Sequence, residues 1–248
     1  MADELTRAYA FLARADMAGR RTEDSSVGTA VFDDALPKRL DSNFLRVERE
    51  ADPGTVRSES ERLGRRMIVV PDSKLGERLA PFFGERSWKV SRVVLMAQRR
   101  EPEREADLSL VREVREEELR PARSRLNADR PWGAPEVLEQ LFAAKHSIGE
   151  RVDVRFFAVV VDGEVVSYTD LYQDGAEAQV EDVGTLDEHR GRGYATSVVL
   201  AAIAEARRKG AEFVFLVADK EDWPKELYRR LGFDELGYYV KFVSPTLR

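Results

Sequence analysis

The strongest constraint on how this chain folds is an ordered series of patterns between residues 177 and 243. Residues 177–185 (EAQVEDVGT) read as a strand and are followed by a Gly/Arg turn, Arg190-Gly191-Arg192-Gly193. In the next stretch, 194–209, Val198, Val199, Ala202, Ile203 and Ala206 recur at helical spacing, and Gly210 supplies a left-handed stop. Phe213-Val214-Phe215-Leu216-Val217 is wholly apolar, as a strand buried on both faces would be. A second helix begins near Pro224, carries Leu227, Tyr228 and Leu231 on one side, and closes at Gly232. Residues 238–243 form a last strand. This order predicts an α/β fold.

Upstream, residues 155–161 and 165–172 flank Asp162-Gly163, a hairpin turn in which glycine accepts positive φ. Residues 108–114 read as an opening strand, and 116–126 and 135–146 as helices. The first 104 residues have another texture: a helix at 4–17, a polar loop at 18–26, and strands at 27–32 and 42–47. A helix at 55–63, a strand at 67–70, a helix at 74–83 and a strand at 90–97 complete the series. The series from 42 to 97 repeats the strand-helix-strand-helix-strand order of 179–243. Phe83-Gly84 and Leu231-Gly232 stand at matching places. A degenerate internal repeat is expected, with domains at 1–104 and 105–248.

Composition narrows the chemistry. The 248 residues contain no cysteine, which excludes disulfides, thiolate zinc sites and a cysteine nucleophile. The two histidines, His146 and His189, cannot make a histidine-rich metal site, and neither lies near a nucleophile elbow. A net charge of −6 argues against a nucleic-acid binder, even though arginines are abundant, because they alternate with acids. The sequence shows neither a leader pattern nor a long apolar run, so a cytoplasmic protein without membrane partners is expected.

A glycine-rich turn between strand and helix points several backbone N–H groups at one spot, where the helix dipole adds partial positive charge. A phosphate is favoured there, and Arg190 and Arg192 add charge. The turn resembles the acyl-CoA signature of the GNAT superfamily of N-acyltransferases, (Gln/Arg)-x-x-Gly-x-(Gly/Ala), at Arg190, Gly193 and Ala195. The same family carries a tyrosine in the next helix ahead of a Leu-Gly-Phe ending, matched by Leu227-Tyr228-Arg229-Arg230-Leu231-Gly232-Phe233. The resemblance covers about residues 108–243. It implies a mixed central sheet flanked by helices, with a partial degenerate copy of the fold before it. It further implies an N-acetyltransferase that passes an acetyl group from acetyl-CoA to a primary amine by direct attack.

Carried over by residue, the main chain of Val183, Gly184 and Thr185 would hydrogen-bond the pantetheine arm. The turn of Arg190, Gly191, Arg192, Gly193, Tyr194, Ala195 and Thr196 would hold the pyrophosphate, and Tyr228 would protonate the departing thiolate. For the base, period-2 alternation places Glu177, Gln179, Glu181, Val183 and Thr185 on one strand face and Asp182 on the other. Gln179 falls where some family members have a glutamate. Glu181 is the first choice, Glu177 the second, and His189 a minor one. Trp223 and Pro224 start the tyrosine's helix and either pack there or wall the site. Asp170, Tyr172 and the Pro131-Trp132-Gly133 segment lie where the family builds its acceptor pocket.

The first half lacks these features. Glu50-Ala51-Asp52-Pro53-Gly54-Thr55 replaces the Gly/Arg turn and would repel a pyrophosphate, and Ala80 stands where the tyrosine would be. This half is expected to cover an edge, shape a pocket or make an interface. The alternative to an enzyme is a non-catalytic acyl-CoA-binding or interaction module. A dinucleotide-binding enzyme is weaker, because Gly191-x-Gly193 lacks the third glycine of that fingerprint. The amine acceptor is not identified by the sequence, and a homodimer is allowed by it without being argued from it.

Overall fold

The computed structural model describes residues 2–17, 20–130 and 133–245. In chain order the elements are α1 (Ala2–Asp16), β1 (Arg21–Ser25), β2 (Gly28–Phe32), β3 (Phe44–Val47), α2 (Pro53–Arg62), β4 (Met67–Val70), α3 (Ser73–Gly84) and β5 (Lys89–Gln98). There follow β6 (Val111–Val114), α4 (Glu116–Asn127), α5 (Pro135–Gly149), β7 (Asp153–Val161), β8 (Glu164–Asp174) and β9 (Glu177–Thr185). The chain ends with α6 (Tyr194–Arg208), β10 (Phe213–Asp219), α7 (Pro224–Arg230) and β11 (Phe233–Val243). Among the described residues no helix is long and apolar enough to cross a membrane.

Two compact units are present. One comprises Met1–Leu95, Ala218–Asp222 and Leu236–Arg248; the other comprises Met96–Val217 and Trp223–Glu235. Neither is one continuous stretch, so the units do not coincide with a division at 104/105.

In the first unit β1, β2 and β3 form an antiparallel meander, and α2 then carries the chain to β4, which lies parallel to β3. Asp52 caps α2 and Asp72 caps α3, each accepting two backbone N–H bonds, and Pro53 fits the first helical turn, where no donor is needed. β1 was not expected, because residues 18–26 read as a loop. Four of its five residues are exposed and its sequence is RTEDS, so the backbone ladder to β2 holds it without any apolar signal. The other side of β4 is taken by the end of β11, with Val240, Lys241, Phe242 and Val243 antiparallel to Val70, Val69, Ile68 and Met67. Val240 and Phe242 are fully buried in the core formed by Leu45, Ile68, Leu79 and Phe83, and the Phe242 ring stacks on Phe83 at 4.6 Å.

In the second unit β6, β7, β8 and β9 run antiparallel, and α6 crosses over to β10, parallel to β9. The β7–β8 turn has Asp162 at φ 51° and Gly163 at φ 83°, as the sequence predicts. Leu119, Ala122, Ala158, Val166, Tyr168 and Val198 form its core. The expected opening strand is shorter, since residues 108–110 form a 3-10 turn before β6. The strand-helix-strand-helix-strand order thus occurs twice, as β3-α2-β4-α3-β5 and as β9-α6-β10-α7-β11, each with its first two strands parallel.

Because β11 supplies core side chains to the first unit, Phe242→Ala should lower unfolding free energy by about 3–5 kcal/mol. Denaturant titration checks this, and a loss below about 1 kcal/mol would contradict the burial assigned to Phe242.

Candidate active site

The Gly/Arg turn leads into the N-terminus of α6. Gly191 and Gly193 have φ of 75° and 82°, and Gly193 is the N-cap. A Cβ on either would meet nothing within 4 Å, so glycine is needed for the left-handed backbone and not for space. The N-cap has no side chain, so the first N–H groups of α6 are capped by none, and they point outward with the helix dipole behind them. Arg190 pairs with Asp187 at 2.7 Å and Arg192 donates to the Glu188 carbonyl at 3.4 Å, which leaves both at the turn. An anion of pyrophosphate type fits this end. In the first half the matching helix end is filled from within: Asp52 Oδ1 accepts from the Gly54 and Thr55 N–H groups, and Oδ2 from the Thr55 hydroxyl.

Immediately before the turn, β9 parts from its neighbour. Their ladder runs from Glu177↔Phe213 to Val180↔Leu216, yet β9 continues to Thr185 and β10 to Asp219. The backbone edge of residues 181–185 that would face β10 has no rung to it. On its other side β9 keeps its pairing with β8, but the register breaks: Asp170 opposes Glu181 and Tyr168 opposes Gly184. One extra residue is accommodated on β9, and Asp182 adopts φ 52°, a left-handed conformation costing roughly 1 kcal/mol outside glycine.

This bulge corrects the expected alternation. Residues directly opposite each other share a face, so Glu181 and Gly184 lie with Asp170 and Tyr168, while Val183 and Thr185 have moved to the other face. The Ser167 and Thr185 hydroxyls meet at 2.8 Å there. Gly184 is needed for close approach, since a Cβ would lie 2.5 Å from Tyr168 Cζ. Asp182, expected to point away from Glu181, instead reaches the charged groups around Asp170.

Those groups form a buried cluster. Arg123 of α4 is 3% exposed, and its guanidinium bonds Asp170 and lies 3.1 Å from Asp182 Oδ2. Lys145 of α5 lies 2.8 Å from Asp170 Oδ2 and 3.6 Å from Asp182 Oδ2, and donates to the Tyr172 hydroxyl at 2.6 Å. Burial opposes both cations, yet the carboxylates of Asp170 and Asp182 more than offset it and hold them protonated. Burial lifts the Asp170 carboxyl, with Lys145 and Arg123 pulling it back. Asp170 and Tyr172, expected to line an acceptor pocket, are instead buried in this cluster. Of the segment expected beside them, Pro131 and Trp132 lie outside the described residues.

Tyr228 sits on α7 and is 8% exposed, its ring edge-on to Phe233 at 6.1 Å. Burial, then the negative fields of Glu181 and Asp182, push its phenol above the ordinary value near 10. Tyr228 and Glu181 therefore feel each other electrostatically. Glu177 is four residues back along the strand, about 13 Å from Glu181 by strand rise, and does not figure in the field at Tyr228. The Gln179 amide donates to Glu181 Oε2 at 2.6 Å. His189 lies in the 3-10 turn before the glycines, with Nδ1 buried and without a hydrogen-bond partner among the described residues. Trp223 stands at the N-cap position of α7 and is 62% exposed.

Arg123 and Lys145 were not foreseen. Arg123 does leave a trace, because it lies four residues after Leu119 on the apolar stripe of its helix, beside Ala122. A cavity of about 250 Å³ reaches Lys145 and is also lined by Glu116, His146, Glu150, Val154 and Phe156. Among the described residues no group of His, Asp or Glu side chains could hold a metal ion.

Residues 112–233 match the model of the Acetyltransferase (GNAT) family. Among solved structures, a functionally unknown conserved protein from Staphylococcus epidermidis is 15% identical with a TM-score of 0.70, covering 93% of this chain and 96% of its own. A GCN5-related N-acetyltransferase from Kribbella flavida is 20% identical with a TM-score of 0.61, covering 98% and 96%. A tandem GNAT protein from the clavulanic acid biosynthesis pathway is 15% identical with a TM-score of 0.57, covering 99% and 97%. No curated protein matches the chain. The glycine turn and the family match agree: residues 112–233 are an acetyltransferase domain of the GNAT family.

Proposed function

We propose that the chain is an N-acetyltransferase that passes an acetyl group from acetyl-CoA to a primary amine within a ternary complex, with residues from about 105 onward carrying the chemistry. The observation that supports it most is the α6 N-terminus, held open by Gly191 and Gly193 beyond a strand whose ladder to β10 has already ended. The N–H groups of this turn, with Arg190 and Arg192, would hold the pyrophosphate, and the main chain at Val183–Thr185 the pantetheine. Acetyl-CoA supplies the thioester carbonyl that the amine attacks.

The amine must lose a proton as its nitrogen bonds the carbonyl carbon, and the sulfur must gain one as the carbon–sulfur bond breaks. Glu181 would take the first, directly or through water, and Tyr228 would give the second. The two steps are coupled here. The Glu181 charge helps hold the Tyr228 proton in place, so neutralising Glu181 makes the phenol a better donor at the moment the thiolate needs it. No covalent enzyme intermediate is required, and positioning two substrates supplies a large share of the rate.

A binding module without catalysis has one observation in its favour: Gln179 ties down the Glu181 carboxylate. Release of CoA thiol with any amine in a broad acceptor panel excludes that reading, and silence across the panel with acetyl-CoA bound would establish it.

Four outcomes are expected. Tyr228→Phe should cut kcat by about 10²-fold or more with little change in acetyl-CoA affinity; full turnover would remove Tyr228 as the acid. Since its pKa is raised, Tyr228 keeps its proton through neutral pH, so the rate should show no loss below about pH 10 that Tyr228→Phe abolishes. In calorimetry acetyl-CoA should bind once per chain, because Asp52 already fills the matching helix end of the first half. Gly193→Asp should abolish that binding, and unchanged affinity would count against the phosphate turn.

A further inference from the structure

We propose that Arg123 and Lys145 are positioning residues that hold the Asp182 bulge in the shape that receives the acyl-CoA arm, an assignment that rests on the acyl-CoA reading of the turn. Asp182 is left-handed in the middle of a strand, a conformation that persists only where its surroundings over-determine it. Two cations from two different helices reach it. Arg123 and Lys145 each contact both Asp170 on β8 and Asp182 on β9. The two carboxylates flank the place where the β8–β9 register breaks.

The four side chains that meet at the bulge are two positive and two negative, with Glu116 near enough to feel Arg123 and Lys145. Buried ion pairs of this kind add little net stability, and fixing a register is their best-attested use. The register is what matters at this point. The bulge turns Val183 and Thr185 to the other face, at the same level where β9 loses its rungs to β10. Helices α4 and α5 thereby set the path of the strand.

The test is a double-mutant cycle on acetyl-CoA affinity, read by calorimetry. Arg123→Met alone should weaken binding at least 10-fold. In an Asp182→Gly background, where glycine adopts positive φ unaided, the same change should cost less than about threefold, although melting temperature still falls. A merely structural arginine would weaken binding equally in both backgrounds, and that result overturns the proposal. If Arg123→Met does not fold, the pair Asp182→Gly and Asp182→Val decides. Val, which resists positive φ, should bind at least 10-fold more weakly than Gly, and equal affinities overturn the proposal. Failure of the underlying reading looks different: the unaltered protein would then bind no acetyl-CoA, or Gly193→Asp would leave binding unchanged.

Discussion

Backbone amides and carbonyls must find partners, and the second unit is organised around the place where one strand is deprived of them. β9 begins as an ordinary inner strand, paired on both sides, and ends with β8 alone. Everything that follows is arranged around that edge. The left-handed glycines add unused amides at the head of α6, the bulge re-aims the strand, and α7 brings a protonated phenol near the carboxylates of Glu181 and Asp182. Under the proposed function, a ligand with amide groups along its length and a doubly charged anion at its end would satisfy this set of groups together.

The two halves show how little sequence separates a site from a filler. Each sends a strand through a turn into a helix, parallel to the next strand. In one, Gly193 leaves the helix end open. In the other, Asp52 bends its own carboxylate onto the same amides, a cap of ordinary strength, typically about 1 kcal/mol. The side chain that stabilises α2 also occupies the place an anion would take at its end.

What could be read in the sequence follows from which interactions leave a local pattern. Gly191 and Gly193 were legible because positive φ demands glycine, and Tyr228 because it sits at fixed spacing from Gly232. The helices were legible from their apolar stripes. β1 was not, since its charged, exposed residues carry no apolar pattern and its place comes from the ladder to β2 and from ion pairs such as Asp24 with Arg49. The bulge at Asp182 was not, because alternation assumes two residues per repeat and one inserted residue reverses the faces beyond it. For that reason Val183 and Thr185 were placed on the wrong face, and Asp182 was directed away from the cluster it joins. Arg123 was visible as an arginine on an apolar stripe, but only the fold shows which carboxylates meet it. The last strand was recognised as a strand, but its pattern does not say which sheet it enters.

That last strand has a consequence in time. Val70 pairs with Val240, so about 170 residues must be made after the first edge exists before its partner arrives. At ribosomal rates of about 5–20 residues per second this is a wait of roughly 10–30 s. During it the β4 edge, with Met67, Ile68 and Val70, has no strand to cover it. The nascent chain is therefore most vulnerable to aggregation and to chaperone capture in its first half. Synthesis of β11 is what ends that exposure.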